Sequence, residues 1–174
     1  MRRLLQFLLF LVLLHACSSI YFGEDSNSSA VVSIPDDYTP KASKSNKVRQ
    51  NLVRKGEELV GSKYKYGGTT PKGFDCSGFT GYVYNTIGLN ITRSSSSQSK
   101  LGEKIELAKA LPGDLVFFKD VKNRKIDHVA MVISNNNKGV VVVHSTTSSG
   151  VRKDNITHSK YWKPKILFAR RIID

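Results

Sequence analysis

The sequence predicts an α+β domain in which N-terminal helices pack on an antiparallel β-sheet. Two segments in the first half carry apolar residues at helical spacing, and four short β-rich runs follow in the second half. The runs are LVFF at 115–118, HVAMVIS at 128–134, VVVVH at 140–144 and ILFARRI at 166–172. Helices that precede a block of strands are typical of α+β domains. ISNNNKG, between the second and third runs, has the composition of a hairpin turn and predicts antiparallel pairing.

The two helical segments carry clear end signals. NKVRQNLVRKGEELVG, residues 46–61, stops at Gly61, and glycine is the usual residue just past a helix C-terminus. CSGFTGYVYNTIG, residues 76–88, is preceded by Asp75, and aspartate is a preferred N-cap residue. We therefore expect Cys76 to lie in the first turn of the second helix.

The N-terminus has the pattern of an export signal. Within the first 17 residues, two arginines precede an apolar run over residues 4–14, which is too short to span a bilayer and is typical of a secretory signal peptide. The ending LHAC resembles a bacterial lipobox, in which cleavage leaves Cys17 as a lipid-modified N-terminus. His15 differs from the small residue usual at its position. Cleavage without lipidation is the alternative.

Composition divides the remaining chain into a tether and one domain. Residues 18–46 are rich in Ser, Asp and Lys and predict a flexible tether, whereas residues 47–174 are long enough for one hydrophobic core. The formal charge is +13, and loss of Arg2 and Arg3 with the signal peptide leaves +11. This charge favours anionic surroundings such as cell-wall polymers or lipid head groups. The export signal and the scattered lysines argue against nucleic acid as a partner.

Cys76 is the residue with the most distinctive setting. The chain has two cysteines, and lipidation of Cys17 would leave Cys76 without a disulfide partner. Three alternatives are a Cys17–Cys76 disulfide, a small core residue and a nucleophile. Unpaired N–H groups in the first turn of a helix favour a thiolate, and the same groups can hold a developing oxyanion. A helix start therefore suits a nucleophilic cysteine.

Two histidines are placed to assist that cysteine. His128 opens one predicted strand and His144 closes the next, so antiparallel pairing brings the two rings to one edge of the sheet. His15 leaves with the signal peptide, and His158 lies in a polar segment typical of a solvated loop. We therefore expect a Cys–His–His arrangement, with His128 as the base and His144 orienting its ring.

The sequence also offers two alternative roles near this site. Asp127 adjoins His128, but neighbouring strand residues point to opposite faces, so Asp127 is expected to face away from the ring. Cys76, His128 and His144 have the atoms to bind zinc but lack the short paired spacing of common zinc sites. The sequence therefore predicts no metal site.

Five motifs together resemble the NlpC family of bacterial cell-wall cysteine peptidases. They are, in order, KYKYGGTTPKGFDCSGF, ITRSSSSQ, LPGDLVFF, DHVAMVI and VVVHSTTSSGV, and they cover nearly all of residues 47–174. The resemblance implies a papain-like α+β fold and hydrolysis of peptidoglycan stem peptides, typically between γ-D-glutamate and a diamino acid. It implies no metal or organic cofactor.

The resemblance also assigns roles to residues. Cys76 corresponds to the nucleophile, His128 to the base and His144 to the third polar residue. Tyr64 matches a tyrosine beside the nucleophile, with an oxyanion or substrate role, and Tyr66 stands where relatives often have tryptophan, with a packing role. Further candidates for contact with the substrate are Asp75, Ser77, Arg93, Ser95 and Gln98.

The sequence leaves two alternative functions open and predicts a location in the cell. A non-catalytic lipoprotein that binds wall peptides, and a cysteine-dependent amidase or acyltransferase, are the alternative functions. The expected location is the cell envelope, with a monomer anchored through the Cys17 lipid to a membrane, the outer membrane facing the periplasm. The expected partners are stem peptides and that membrane.

Overall fold

A computed structural model describes residues 40–174 of the chain. The helices are α1 (Pro40–Glu58), α2 (Cys76–Asn85) and α3 (Ser95–Gln98). The strands are β1 (Thr69–Thr70), β2 (Gly73–Phe74), β3 (Glu103–Ile105), β4 (Leu115–Lys119), β5 (Ile126–Asn136), β6 (Gly139–Thr146), β7 (Gly150–Asn155) and β8 (Ile166–Arg171). No helix in this part of the chain is both long and apolar enough to cross a membrane.

The predicted α+β architecture is confirmed. β1 and β2 form a small hairpin, and the other six strands form an antiparallel sheet in the order β3-β8-β4-β5-β6-β7. Strands β4 to β7 are a meander, as the hairpin signal predicted. The last strand, β8, returns to pair with β4 on its other side.

Apolar side chains alternate between the two faces of this sheet. On one face, Val129 and Met131 belong to the same apolar cluster as Phe79 of α2. The opposite face has its own cluster around Val132 and Val142. Both clusters contain side chains with no exposed surface. The sheet is therefore buried on both sides, which explains its near-continuous apolar runs.

A buried ion pair attaches α1 to the sheet. Arg49 donates to Asp114 Oδ1 at 2.8 Å and to the Pro112 carbonyl at 2.9 Å, and Arg171 from β8 donates to Asp114 Oδ2 at 3.0 Å. Asp114 is 1% exposed. Removing the Asp114 charge would leave the buried Arg49 guanidinium without its charged partner, so this pair fixes α1 relative to the strands.

Three sequence predictions concern the N-terminal region. The signal peptide at 1–17, the lipidated Cys17 and most of the tether at 18–46 lie outside the described residues. Helix α1 spans Pro40–Glu58, so residues 40–46, at the end of the predicted tether, are helical, and the boundary at 47 stays a prediction. Proline suits the first position of a helix because its missing N–H has no helical partner there.

Candidate active site

An open cleft of about 600 Å³ lies beside the start of α2. Tyr64, Cys76 and His128 line it together, as do Asp127 and Trp162. The further lining residues are Ser145, Thr146, Thr147, Ser148, Arg152, Asp154, Ser159, Tyr161 and Lys165. The cleft therefore joins a thiol, an imidazole and a phenol that lie far apart in sequence.

Asp75 fixes the helix start that carries Cys76. Its Oδ1 accepts from the Gly78 N–H at 2.7 Å, which confirms the predicted N-cap, and its Oδ2 accepts from the Gly67 N–H at 3.0 Å. Partial burial favours a higher pKa for Asp75, but hydrogen bonds from Arg93, Gly78 and Gly67 outweigh it and lower the pKa. A carboxylate thus ties the preceding loop to α2.

Arg93, Ser77 and Gln98 extend this support. Arg93 donates to Asp75 Oδ1 at 3.0 Å and to Ser77 Oγ at 2.9 Å. Gln98 has no exposed surface, donates to the Ser77 carbonyl at 3.0 Å and accepts from Thr80 Oγ1 at 2.8 Å. These bonds hold the first turn of α2 against α3. Ser77 and Gln98 are both buried, and contact of either side chain with substrate stays a prediction.

The other candidate residues have mixed outcomes. Tyr64 lines the cleft, and burial, with a smaller contribution from the Asp75 carboxylate, raises the pKa of its hydroxyl, so it stays protonated and able to donate. Arg93 and Ser95 do not line the cleft, and any contact they make with substrate stays a prediction. Tyr66 is 89% exposed, so the predicted packing role is wrong.

The two histidines meet as predicted. His128 Nε2 lies 2.9 Å from His144 Nδ1, and His144 has no exposed surface. Met131 pairs with Val143, so the next step of the register places His144 opposite Ala130 and diagonal to His128. Diagonal residues of an antiparallel pair share a face of the sheet.

A register shift between Val132 and Ser134 makes this meeting possible. Near the turn, Asn136 pairs with Gly139, and continuing that register unchanged would place His144 opposite Met131, on the other face from His128. The irregularity shifts the register by one residue before the histidines are reached. The sequence predicted their proximity but not the irregularity that creates it.

The thiol lies against the backbone around His128. Cys76 Sγ is 4.0 Å from the Asp127 carbonyl oxygen, and the Val129 and Ser77 N–H groups face the sulfur. Asp127 is exposed at the start of β5 and makes no hydrogen bond to either ring, as predicted. With Nε2 of His128 bonded to His144, Nδ1, the ring nitrogen nearer the backbone, is the one left for the thiol.

Burial favours the neutral form of both reacting groups. Burial raises the pKa of Cys76, and the nearby Asp75 charge adds to this, against the opposing N–H groups of Val129 and Ser77. Burial lowers the pKa of His128 well below its usual value, with His144 and Lys165 acting in the same direction. The N–H groups of the helix start lower the pKa of Cys76, as expected, but burial outweighs them. A neutral thiol beside a neutral imidazole needs proton transfer during attack.

Two important neighbours were missed from the sequence. Asp154 Oδ2 accepts from His144 Nε2 at 2.9 Å, and the Trp162 ring stacks on His128 at 4.8 Å with 24° between planes. His144 pairs with Arg152 in the β6–β7 ladder, so Asp154 is its diagonal neighbour. The short TTSSG turn after His144 was the signal that fixes this register. Trp162 comes from a distant segment and had no local signal.

The hydrogen bonds of His144 compete with its use as a ligand in the alternative zinc site. Both ring nitrogens of His144 are already committed, one to His128 and one to Asp154. Among residues 40–174, no group of three or more His, Cys, Asp or Glu side chains is arranged to hold a metal ion. Cys76 is a free thiol.

These features define an α+β domain with a cysteine–histidine site at a helix N-terminus. The chain belongs to the NlpC/P60 family, whose model matches residues 61–171. A crystal structure of an NlpC/P60 family protein from Bacillus cereus has a TM-score of 0.66 and 30% identity, covering 72% of this chain and 40% of that one.

Two curated relatives are similarly close. The gamma-DL-glutamyl hydrolase of Bacillus subtilis is 38% identical over 124 residues, which are 70% of this chain and 29% of that protein. The probable endopeptidase NlpC homolog of Haemophilus influenzae is 38% identical over 117 residues, 67% of this chain and 58% of that protein. The matched part of the chain thus spans less than two thirds of either relative.

Proposed function

We propose that this protein is a peptidoglycan hydrolase, a cysteine endopeptidase that cuts stem peptides between γ-D-glutamate and a diamino acid. The observation that carries the proposal is the shared cleft of Cys76 and His128, with His144 bonded to the far side of the His128 ring. The names of the two relatives, a gamma-DL-glutamyl hydrolase and a probable endopeptidase, support the same class of bond.

In the first stage, Cys76 Sγ attacks the amide carbonyl carbon while its proton passes to His128 Nδ1. The backbone N–H groups of Cys76 and Ser77 at the start of α2 are expected to stabilise the oxyanion, with the protonated Tyr64 hydroxyl as a further donor. The C–N bond then breaks as the His128 imidazolium protonates the leaving amine. A thioester on Cys76 remains.

In the second stage, neutral His128 takes a proton from water, and the resulting hydroxide attacks the thioester carbonyl. The carbon–sulfur bond breaks, the acid product leaves, and the His128 imidazolium returns its proton to the sulfur, which restores the Cys76 thiol and neutral His128. Both stages need His128 to alternate between neutral and protonated forms. Its low pKa makes the neutral form the resting state and the imidazolium a strong acid toward the amine.

The charge of the domain suits this substrate. Residues 40–174 contain 25 of the 27 basic residues and 10 of the 14 acidic residues, which gives this part of the chain a net charge of +15. Arg152 and Lys165 line the cleft itself. Stem peptides carry carboxylates on γ-D-glutamate and on the diamino acid, so both side chains are expected to favour their binding.

Digestion of purified peptidoglycan tests the proposal. The wild-type protein is expected to release soluble fragments ending at γ-D-glutamate, identified by mass spectrometry, and Cys76→Ala is expected to release none. Glu57→Gln, an exposed change away from the cleft, is the matched control and should behave as wild type. No release by the wild-type protein would overturn the peptidase proposal in favour of peptide binding, and altered amides without chain cleavage would favour an amidase or acyltransferase.

We also infer that residues 1–17 are a lipoprotein signal peptide, that Cys17 carries the lipid and that residues after it tether a monomer to the outer membrane, facing the periplasm. The LHAC motif and the apolar run over residues 4–14 support this arrangement. Growth with an alkyne-bearing fatty acid should label the wild-type protein but not Cys17→Ser. Equal labelling of both proteins would contradict lipidation at Cys17.

A further inference from the structure

Asp154 makes two specific contacts behind the histidine pair. Its Oδ2 accepts from His144 Nε2 at 2.9 Å, and its Oδ1 accepts from Arg152 Nη2 at 2.7 Å. Partial burial favours a higher pKa for Asp154, but His144 and Arg152 outweigh it and lower the pKa. Asp154 is thus a carboxylate at neutral pH, and an ionised carboxylate only accepts hydrogen bonds.

When each ring carries one hydrogen, this single acceptor determines where those hydrogens lie. His144 Nε2 must carry a hydrogen to reach Asp154, so its Nδ1 is an acceptor. His128 Nε2, 2.9 Å from that Nδ1, must then carry a hydrogen. The remaining nitrogen, His128 Nδ1, is left unprotonated. It is the form that a base needs to take the Cys76 proton.

We propose that Asp154 is a positioning residue that sets the tautomers of His144 and His128, so that an unprotonated His128 Nδ1 is available to Cys76. The proposal rests on the proposed function, because it assigns the orientation of the same base. Trp162 covers the pair, with ring centroids 4.8 Å from both imidazoles. The charged or titratable groups that line the surrounding cleft are Tyr64, Cys76, Asp127, Arg152, Tyr161 and Lys165.

Asp154→Asn should reverse both tautomers. Arg152 donates to Oδ1, so the amide oxygen of asparagine will take that position and the NH₂ group will face His144. His144 must then accept at Nε2 and donate from Nδ1, which forces His128 to accept at Nε2 and carry its hydrogen on Nδ1. The base would hold its proton on the wrong nitrogen, a fault that costs up to about 10⁴-fold in turnover in a Ser-His-Asp enzyme.

Two further variants separate positioning from mere structure. Asp154→Ala removes the acceptor without imposing a donor, so its loss of activity should be smaller than that of Asp154→Asn. A structural role predicts the opposite order, because asparagine preserves size. Adding Arg152→Met to Asp154→Asn frees the amide to turn its oxygen toward His144, so the double variant should recover the wild-type tautomers.

Nitrogen NMR of the ¹⁵N-histidine-labelled full chain measures the tautomers directly. In a Cys76→Ala background near neutral pH, both His128 and His144 should carry hydrogen on Nε2, and both should carry it on Nδ1 after Asp154→Asn. The same spectra report whether each variant is folded. Unchanged tautomers in a folded Asp154→Asn protein would overturn the proposal, as would their failure to revert when Arg152→Met is added.

Alkylation of Cys76 by iodoacetamide gives a readout that needs no natural substrate. Between pH 6 and 8 the rate should fall by about 10²-fold or more in Asp154→Asn, the contribution of a well-placed base, and less in Asp154→Ala. Glu57→Gln is the control. It removes a carboxylate of α1 that pairs with Lys153, the neighbour of Asp154 on β7, and it should leave the rate unchanged. Equal pH–rate profiles for wild type and Asp154→Asn would refute the positioning role. Normal alkylation and tautomers without peptide cleavage would refute only the proposed function.

Discussion

Replacing Gly78 by alanine tests how closely the loop before α2 contacts the helix that carries Cys76. A Cβ on Gly78 would overlap the Gly68 carbonyl oxygen and lie 3.1 Å from Asp75 Oδ1. The Gly68 carbonyl also accepts from the Asp75 N–H at 3.1 Å, so it is part of the bonded frame of the cap. Backbone rather than a flexible side chain must move, and the helix start must move with it.

Gly81 is the matched control because it lies in the same helix and a Cβ there meets nothing within 4 Å. Gly81→Ala should stabilise the protein by about 0.5–1 kcal/mol, the helix preference of alanine over glycine. Gly78→Ala gains the same preference but incurs an overpacking cost of about 1–3 kcal/mol or more. The two variants should therefore differ by at least about 1–3 kcal/mol, with Gly78→Ala the less stable.

Urea unfolding and thermal melting measure this difference, which corresponds to roughly 4–12 °C in Tm for a domain of this size. Iodoacetamide labelling in the absence of denaturant should also change for Gly78→Ala, because displacement of the helix start alters the surroundings of Cys76. Gly81→Ala should label as wild type. Equal stability and equal labelling of the two variants would refute the inferred close approach of Gly68 to α2.

Three further predictions address the buried polar groups. Gln98→Leu should lower the free energy of unfolding by about 2–4 kcal/mol, because it leaves several buried partners unsatisfied, whereas Ser95→Ala in the same short helix should change it by less than about 0.5 kcal/mol. Trp162→Leu should admit water to His128 and so raise the pKa of its ring toward the usual value. In a plot of the Cys76 alkylation rate against pH, the fall in rate on the acid side should then occur at higher pH. Because the His128 pKa is lowered on folding, the unfolded chain binds the extra proton below about pH 6.5, so stability should fall as pH drops from 7 toward 5. His128→Gln should weaken that dependence, and an unchanged dependence would contradict the lowered pKa.

The elements that local sequence controls were predictable. Asp75 before an amphipathic run defines a cap, and the Asn- and Gly-rich turn between two β-rich runs defines the hairpin that brings His128 toward His144. The short strands β3 and β7 and the hairpin of β1 and β2 lacked such patterns. They form because neighbouring strands offer partners, which is tertiary information.

The parts of the site that depend on burial were not predictable. Gln98 sits in a polar segment yet is fully buried, and the pKa of Cys76 is set more by desolvation than by its helix position. Asp154 reaches His144 only through the β6–β7 ladder, and β7 itself carries no β-rich sequence pattern. Composition identifies which polar groups are present, whereas the fold decides which of them are buried and which are in contact.

Intact-mass spectrometry of the protein, acid-quenched within milliseconds of mixing with a stem tripeptide L-Ala-γ-D-Glu-diaminopimelate, tests the central claim most directly. The account predicts an L-Ala-γ-D-glutamyl thioester mapped to Cys76, no adduct and no product with Cys76→Ala, and slow acylation with His128→Gln. Release of diaminopimelate by Cys76→Ala, or an acyl group mapped to another residue, would contradict it.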